Sequence, residues 1–197
     1  TNALMLELIK QYDGRFRLAY SISGVLLEQF EEHAPEALDS FKKLAATGAV
    51  EFLNETYYHS LAFLYSREEF REQVEMHRAK IRQVFGLDAR VFRNTELIYN
   101  NDLARAVAHM GYDGCLAEGA DSVLGGRSCN YVYSPSGDVN LKLLLKNYRL
   151  SDDIAFRFSD PSFAQYPIMA DKFAQWVGQI NGHGQTSVSY THLTLPT

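Results

Sequence analysis

The amino-acid sequence predicts an α/β fold in which parallel strands alternate with helices. Four short apolar segments are each followed by polar residues and then by a segment whose apolar side chains have helical spacing. A glycine closes each helical segment shortly before a strand: Gly14, Gly48, Gly86 and Gly111. Strands that alternate with helices in this way pair in parallel through right-handed crossovers. Both a barrel and an open doubly wound sheet satisfy this pattern.

The spacing of apolar residues places the individual elements. Strands are expected over residues 15–23, 49–53, 89–93 and 112–117. Helices are expected over 3–10 and 25–33, from Pro35 to Gly48, from Ser66 to Gly86, and from a cap at Asn101 to Gly111. Ser66 with Glu69 three residues later forms a capping box, and Pro35 occupies a first-turn position that suits proline.

Beyond Glu118 the alternation stops. Residues 119–130 have the composition of a loop. Residues 131–133 and 141–145 flank a Ser-Pro-Ser-Gly-Asp turn, which predicts a β-hairpin inserted at the face of the sheet where the strands end.

The last part of the chain divides into a helix and a tail. Apolar spacing predicts a helix from Pro167 to Ile180. Residues 183–197 are rich in Ser and Thr and nearly uncharged, and SVSYTHLTLPT is typical of a vector-derived segment. We expect residues 183–197 to be a non-native or disordered tail, and residues 1–182 to be an internal fragment of a larger catalytic domain.

Composition narrows the classes of function. The chain has 197 residues, 46% hydrophobic, which suffices for a sizeable core. The net charge is −5 and the basic residues form no stripe, so we expect no nucleic-acid partner. Apolar runs are too short to cross a membrane, and no secretory signal is recognisable. With only two cysteines, Cys115 and Cys129, the sequence favours a reducing, cytoplasmic setting.

Polar side chains stand where the predicted strands end: Ser21 and Ser23, His59, Glu96, and Glu118. Parallel strands carry these ends to the same edge of a sheet, where α/β proteins bind ligands. Glu96, in VFRNTELIYNN, is the candidate for a nucleophile, an acid or base, or a ligand. The alternative is an ordinary residue in the first turn of a helix, favoured there by the helix dipole.

Glu51 stands inside a predicted strand, between Val50 and Phe52. In a closed parallel barrel the outward face is covered by helices, so an inward side chain is expected. A buried carboxylate without a partner costs several kcal/mol, so an inward Glu51 must be hydrogen-bonded or functional.

Motifs for cofactors and metals are missing from the sequence. The histidines show no short ligand spacing, and we predict neither a metal site nor a cofactor. The chain has no GxSxG elbow, no P-loop and no dinucleotide-binding glycine motif.

Three segments resemble conserved regions of glycoside hydrolase family 57. GAVEF at residues 48–52 with YYH at 57–59 resembles the second region, and FRNTELIYNNDLA at 92–104 resembles the third. LSDDIAFRFSD at 150–160 resembles a signature of the α-amylase-like members. The resemblance implies an incomplete (β/α)7 barrel and a retaining enzyme acting on an α-glucan or maltooligosaccharide, as an α-amylase or 4-α-glucanotransferase. It makes Glu96 the nucleophile and Glu51, His59, Asp153 and Arg157 substrate-binding.

Two regions expected from the resemblance have no counterpart in the sequence. These are the histidine-bearing region of the first strand and the strand carrying the acid/base aspartate. We therefore expect residues 1–182 to have little or no hydrolase activity. The alternatives are a metal-dependent polysaccharide deacetylase-like barrel and a non-catalytic carbohydrate-binding protein. Convergence of Glu51, His59 and Glu96 favours the enzyme, whereas a solvent-facing Glu96 far from Glu51 favours the non-catalytic protein.

Overall fold

A computed structural model describes residues 1–180 and 184. Eight α-helices and six strands are described in these residues. The helices are α1 (Asn2–Gln11), α2 (Gly24–His33), α3 (Pro35–Ala45), α4 (Arg67–Phe85), α5 (Asn101–His109), α6 (Asp121–Leu124), α7 (Tyr148–Asp152) and α8 (Ala170–Gly178). The strands are β1 (Leu18–Tyr20), β2 (Val50–Phe52), β3 (Val91–Arg93), β4 (Gly114–Glu118), β5 (Val132–Tyr133) and β6 (Lys142–Lys146). The predicted tail lies outside the described residues, apart from Gly184.

Five of the six strands pair in parallel, which confirms the predicted α/β class. β1 pairs with β2, and β3, β4 and β6 form a second parallel group. A parallel bridge between Asn54 and Phe92 joins β2 to β3. The Asn54 N–H donates to the Val91 carbonyl at 2.9 Å, and the Arg93 N–H donates to the Asn54 carbonyl at 2.8 Å. The order across the sheet is therefore β1-β2-β3-β4-β6-β5.

The predicted inserted hairpin is only partly right. β5 and β6 do pair antiparallel, but β6 also pairs in parallel with β4 over five residues. The reason is the apolar alternation of β6, in which Leu143 and Leu145 are buried in the same cluster as Cys115 and Ala117 of β4. β6 is thus a strand of the main sheet, and β5 forms its antiparallel edge.

Local sequence signals explain both ends of α4 and the start of α5. The Ser66 hydroxyl accepts a hydrogen bond from the Glu69 N–H at 3.2 Å and begins α4, and Gly86 ends it at a φ of +68°. α5 is capped by Asn100 rather than by Asn101, because the Asn100 side chain accepts from the Leu103 N–H at 2.8 Å. α8 begins at Ala170, not at Pro167 as predicted.

Two apolar clusters cover one face of the sheet and a smaller one covers the other. α1, α2 and α3 pack with β2 and the end of α4 around Leu27, Leu44 and Ile81. α4 and α5 pack on β3, β4 and β6 around Phe92 and Val107. On the opposite face, the buried residues are Leu53, Leu97 and Leu116. The helical layer therefore leaves the carboxyl ends of β1, β2 and β3 to be closed by their own loops.

Candidate active site

The loops that follow β1, β2 and β3 bring four polar side chains together. Glu55 Oε1 accepts a hydrogen bond from the Ser21 hydroxyl at 2.6 Å, and its Oε2 lies 2.6 Å from Nδ1 of His59. The other ring nitrogen of His59, Nε2, lies 3.8 Å from Oε1 of Glu96. The result is a chain of contacts from Ser21 through Glu55 and His59 to Glu96. We refer to these four residues as the Ser21–Glu96 network.

Glu55 is the buried carboxylate of this network, with 1% of its surface exposed. Burial by itself disfavours the carboxylate, but hydrogen bonds from His59 and Ser21, with the charge of Arg93, outweigh it and lower the pKa of Glu55. The Arg93 guanidinium lies 3.8 Å from Oε2 and is itself buried. Glu55 is therefore an ionised carboxylate that accepts hydrogen bonds and has no proton to give at neutral pH.

The protonation of His59 follows from its shortest contact. Arg93 Nη1 lies 3.4 Å from Nδ1 of His59, but the carboxylate of Glu55 is much nearer, at 2.6 Å. A carboxylate accepts hydrogen bonds only, so Nδ1 of His59 carries a proton and donates a hydrogen bond to Glu55. Nε2 is consequently the nitrogen that faces Glu96.

Glu96 is the exposed carboxylate of the Ser21–Glu96 network. It follows β3 in a short turn, Thr95–Leu97, with its side chain 70% exposed. Its backbone lies in the left-handed region, with a φ of +54° and a ψ of +21°, which is uncommon for a residue other than glycine. Both neighbours, Thr95 and Leu97, are buried. The turn is therefore anchored on either side of a carboxylate that points outward.

Next to the Ser21–Glu96 network, a buried histidine connects α4 to the ends of β1 and β2 through hydrogen bonds. His77 Nε2 donates to the Ile22 carbonyl at 2.8 Å, and its Nδ1 lies 2.6 Å from Oδ1 of Asn54. Burial lowers the pKa of His77, with opposing contributions from the Ile22 carbonyl and Glu55. The neutral ring fixes the backbone from which Ser21 and Glu55 project.

The structure places Glu51 apart from His59 and Glu96. Glu51 lines a cleft of about 390 Å³ with Arg90 and Asp113, which stand just before β3 and β4. Partial burial raises the pKa of Glu51, Arg90 opposes this effect and Asp113 adds to it. Neither His59 nor Glu96 lines that cleft. Of the three residues expected to converge, the structure brings only His59 and Glu96 together. The exposed Glu96, set apart from Glu51, is the arrangement expected of a non-catalytic protein, so in the geometry the case for an enzyme rests on the contact between His59 and Glu96.

The other predicted residues form local pairs. Arg157 donates to Asp153 at 2.8 Å within a single π-helical turn, and Asp153 is buried. Glu118 lies 3.6 Å from Lys146 at the ends of β4 and β6. Ser23 caps α2 by accepting from the Leu26 N–H at 3.3 Å.

Sequence reasoning did not select Glu55 as a site residue, although it stands only one residue from Asn54 at the strand end. The signal that could have found it is the two-residue period of a strand. Glu51, Leu53 and Glu55 share one face, so Glu55 is the carboxylate at the carboxyl end of that face.

Two kinds of feature are absent from the described residues. Within residues 1–180 and 184, no group of three or more His, Cys, Asp or Glu side chains is arranged to hold a metal ion. In the same part of the chain, no helix combines the length and the apolar character needed to cross a membrane.

Comparison with known proteins gives one family match. The sequence model of "Glycosyl hydrolase family 57" matches residues 1–194. A Methanocaldococcus jannaschii protein named "Putative alpha-amylase" is 51% identical over 184 residues, which is 92% of this chain and 38% of that protein. The chain therefore spans well under half of the length of this relative.

Solved structures share the fold at low sequence identity. The 4-alpha-glucanotransferase of Thermococcus litoralis aligns with a TM-score of 0.67 and 22% identity, covering 78% of this chain and 24% of that one. A "putative polysaccharide deacetylase" of Mycobacterium smegmatis aligns with a TM-score of 0.63 and 15% identity, covering 92% and 58%. Because both identities are low, these likenesses concern the fold alone, which is compatible with more than one chemistry.

Proposed function

This chain belongs to glycosyl hydrolase family 57, and we propose that it carries the nucleophile, Glu96, of a retaining glycosidase that acts on α-glucans. The observation that carries this proposal is the position of Glu96, an outward-pointing carboxylate at the carboxyl end of β3 with an imidazole 3.8 Å away. By lineage the chain is a glycoside hydrolase. The name of its 51% identical relative, "Putative alpha-amylase", supports an α-glucan as the substrate.

In the proposed reaction, an oxygen of Glu96 attacks the anomeric carbon while the bond to the leaving oxygen breaks. A second carboxyl group, acting as the general acid, protonates that oxygen. The resulting glycosyl-enzyme is cleaved by water or by an acceptor sugar, with the second group now acting as a base. Hydrolysis and transfer differ only in this last step.

Glu55 does not qualify as the general acid. It is buried, and the hydrogen bonds from His59 and Ser21 favour its charged form. A general acid must hold a proton and reach the leaving oxygen. We therefore assign the acid role to none of the carboxylates in the Ser21–Glu96 network. We expect the 197-residue polypeptide by itself to hydrolyse natural glucans poorly.

We also propose that the remaining predicted residues bind substrate. His59 is one-third exposed beside Glu96, and the partly exposed guanidinium of Arg157, held by Asp153, can donate to sugar hydroxyls. For Glu51, the proposed contact is made through the cleft that it shares with Arg90. For Glu51, Asp153 and Arg157, a raised KM with little change in kcat is the expected effect of substitution.

The test of the nucleophile is covalent trapping in the complete protein. A 5-fluoro-α-glucosyl fluoride has a leaving group that needs little acid assistance, and its ring fluorine slows breakdown of the intermediate. Peptide mass spectrometry is expected to find the sugar on Glu96, and Glu96→Gln is expected to abolish both labelling and activity on soluble starch. Glu118→Gln, which changes a carboxylate at the end of β4, is the matched control and is expected to label normally.

The contrary results are distinct from one another. Labelling of a different carboxylate, or full starch activity in Glu96→Gln, would remove Glu96 from the role of nucleophile. An absence of labelling together with calorimetric binding of maltooligosaccharides would favour a non-catalytic carbohydrate-binding protein.

A further inference from the structure

We propose that Glu55 and His59 form a positioning pair that holds the carboxylate of Glu96 for attack; this rests on the proposed role of Glu96 as the nucleophile. Glu55 is 1% exposed and so does not contact a substrate directly. Glu55 therefore acts only through His59.

The orientation of the His59 ring is fixed by its buried neighbour. Glu55 is held by the Ser21 hydroxyl at 2.6 Å on one oxygen and binds Nδ1 of His59 at 2.6 Å with the other. This arrangement sets both the direction of the ring and the nitrogen that carries the proton toward Glu55. Nε2 is left to face Glu96. When this nitrogen also carries a proton, a slight approach of the exposed Glu96 side chain converts the 3.8 Å contact into a hydrogen bond from Nε2 to the carboxylate.

The backbones on the two sides of this contact are joined by buried hydrogen bonds. The Thr95 hydroxyl, next to Glu96, donates to the Ser60 carbonyl, next to His59, at 2.8 Å. The same hydroxyl lies 3.2 Å from that of Thr56, and both threonines are buried. The distance between the backbones of His59 and Glu96 is thus set by buried hydrogen bonds between their neighbouring residues.

Backbone conformation gives an independent indication. His59 and Glu96 have φ values of +53° and +54°, in the left-handed region that non-glycine residues seldom occupy. Conformations of this kind cost about 1–3 kcal/mol each and persist where the surrounding structure imposes them, often at functional sites. Here both residues that face each other across the contact carry such a conformation.

Positioning matters because the nucleophile must meet the anomeric carbon in line with the breaking bond. A displacement of about 1 Å can lower the rate about 100-fold. An exposed glutamate without a fixed neighbour samples several rotamers, and only some of them point toward the substrate. The Glu55–His59 pair would restrict Glu96 to those rotamers without contacting the sugar through Glu55.

The experiment measures trapping kinetics with the 5-fluoro-α-glucosyl fluoride in the complete protein. Four forms are compared: wild type, Glu55→Gln, His59→Asn and the double variant. Asparagine is chosen at residue 59 because it tolerates the left-handed backbone. Each single substitution is expected to lower the maximal labelling rate about 10- to 100-fold with the half-saturating concentration unchanged.

The double variant separates positioning from structural support. If Glu55 acts through His59, Glu55→Gln has no further effect in the His59→Asn background, since the two effects are not additive. A merely structural Glu55 would lower the rate by the same factor in both backgrounds, which would overturn the proposal. Glu28→Gln is the matched control, because Glu28 binds the Tyr57 hydroxyl of the same loop at 2.6 Å without touching the pair.

Failure of the inference can be told apart from failure of the proposed function. If wild-type protein forms no adduct on Glu96, the proposed function fails. If wild type labels and His59→Asn labels at the full rate, the positioning pair is refuted. This outcome can be read even if Glu55→Gln does not fold, because His59 is one-third exposed and its replacement is expected to leave the fold intact.

Discussion

The close approach of Gly24 to Tyr57 allows a sharp test of how tightly the site loop is held. Gly24 begins α2, and its N–H donates to the Tyr57 carbonyl at 2.9 Å. A Cβ added to Gly24 would lie 2.5 Å from Cε2 and 2.6 Å from Cγ of the Tyr57 ring. Carbon atoms prefer to be about 3.5–4.0 Å apart. Gly24→Ala therefore requires the ring, or the loop that carries it, to move by about 1 Å.

The expected effect on activity is larger than the effect on stability. Overpacking of this kind costs about 1–3 kcal/mol, and the better helix propensity of alanine returns about 0.5–1 kcal/mol of it. Tyr57 precedes His59 by two residues, so its displacement moves the imidazole relative to Glu96. A movement of about 1 Å there is expected to lower the labelling rate up to about 100-fold.

The assay pairs urea unfolding with the labelling rate, measured where both proteins remain folded. Gly178→Ala is the control, because Gly178 ends α8 and, among the described residues, no heavy atom outside its own helix and chain neighbours lies within 4 Å of its added Cβ. The control is expected to keep its stability and rate. A Gly24→Ala protein that is folded and labels at the wild-type rate would refute the claim that Tyr57 packing fixes the loop.

Two further predictions concern stability. Because the pKa of Glu55 is lowered in the folded state, its carboxylate stabilises the fold above the ordinary glutamate pKa of about 4.3, and this contribution is lost as pH falls through the folded value. The difference in urea midpoint between wild type and Glu55→Gln is expected to shrink as the solution is acidified; a constant difference would contradict this. Phe92→Ala removes a fully buried ring that packs on Phe70 and Tyr112, and is expected to lower the free energy of unfolding by about 3–5 kcal/mol. A loss below about 1 kcal/mol in urea titrations would mean that this core repacks.

Sequence reasoning placed β1 to β4 and the helices between them because the signals for these elements are local. Ser66 with Glu69 and the terminal Gly86 predict both ends of α4, and the structure shows the corresponding hydrogen bond and the left-handed φ. The boundaries of strands were less well predicted. Residues 15–23 alternate throughout, but only Leu18–Tyr20 pair, since pairing depends on where β2 runs alongside.

The role of β6 could not be read from its own residues. A turn between two short apolar segments predicts a hairpin, and one is present, but the same segment also pairs with β4. Parallel pairing joins strands far apart in the chain, so no local pattern reports it. The start of α8 at Ala170 was also missed, and Ile168, which lies before the helix, is buried.

The sequence by itself determined the order of helices and strands and the position of Glu96 just past β3, since periodicity and capping act within a few residues. Only the tertiary structure decided which carboxylate joins Glu96. Glu51 lies within β2, whereas Glu55 follows its carboxyl end, and about 13 Å of extended chain separates the two residues. Glu55 then meets Ser21, His59 and Arg93 from other segments, and it is this long-range packing that keeps it buried and charged.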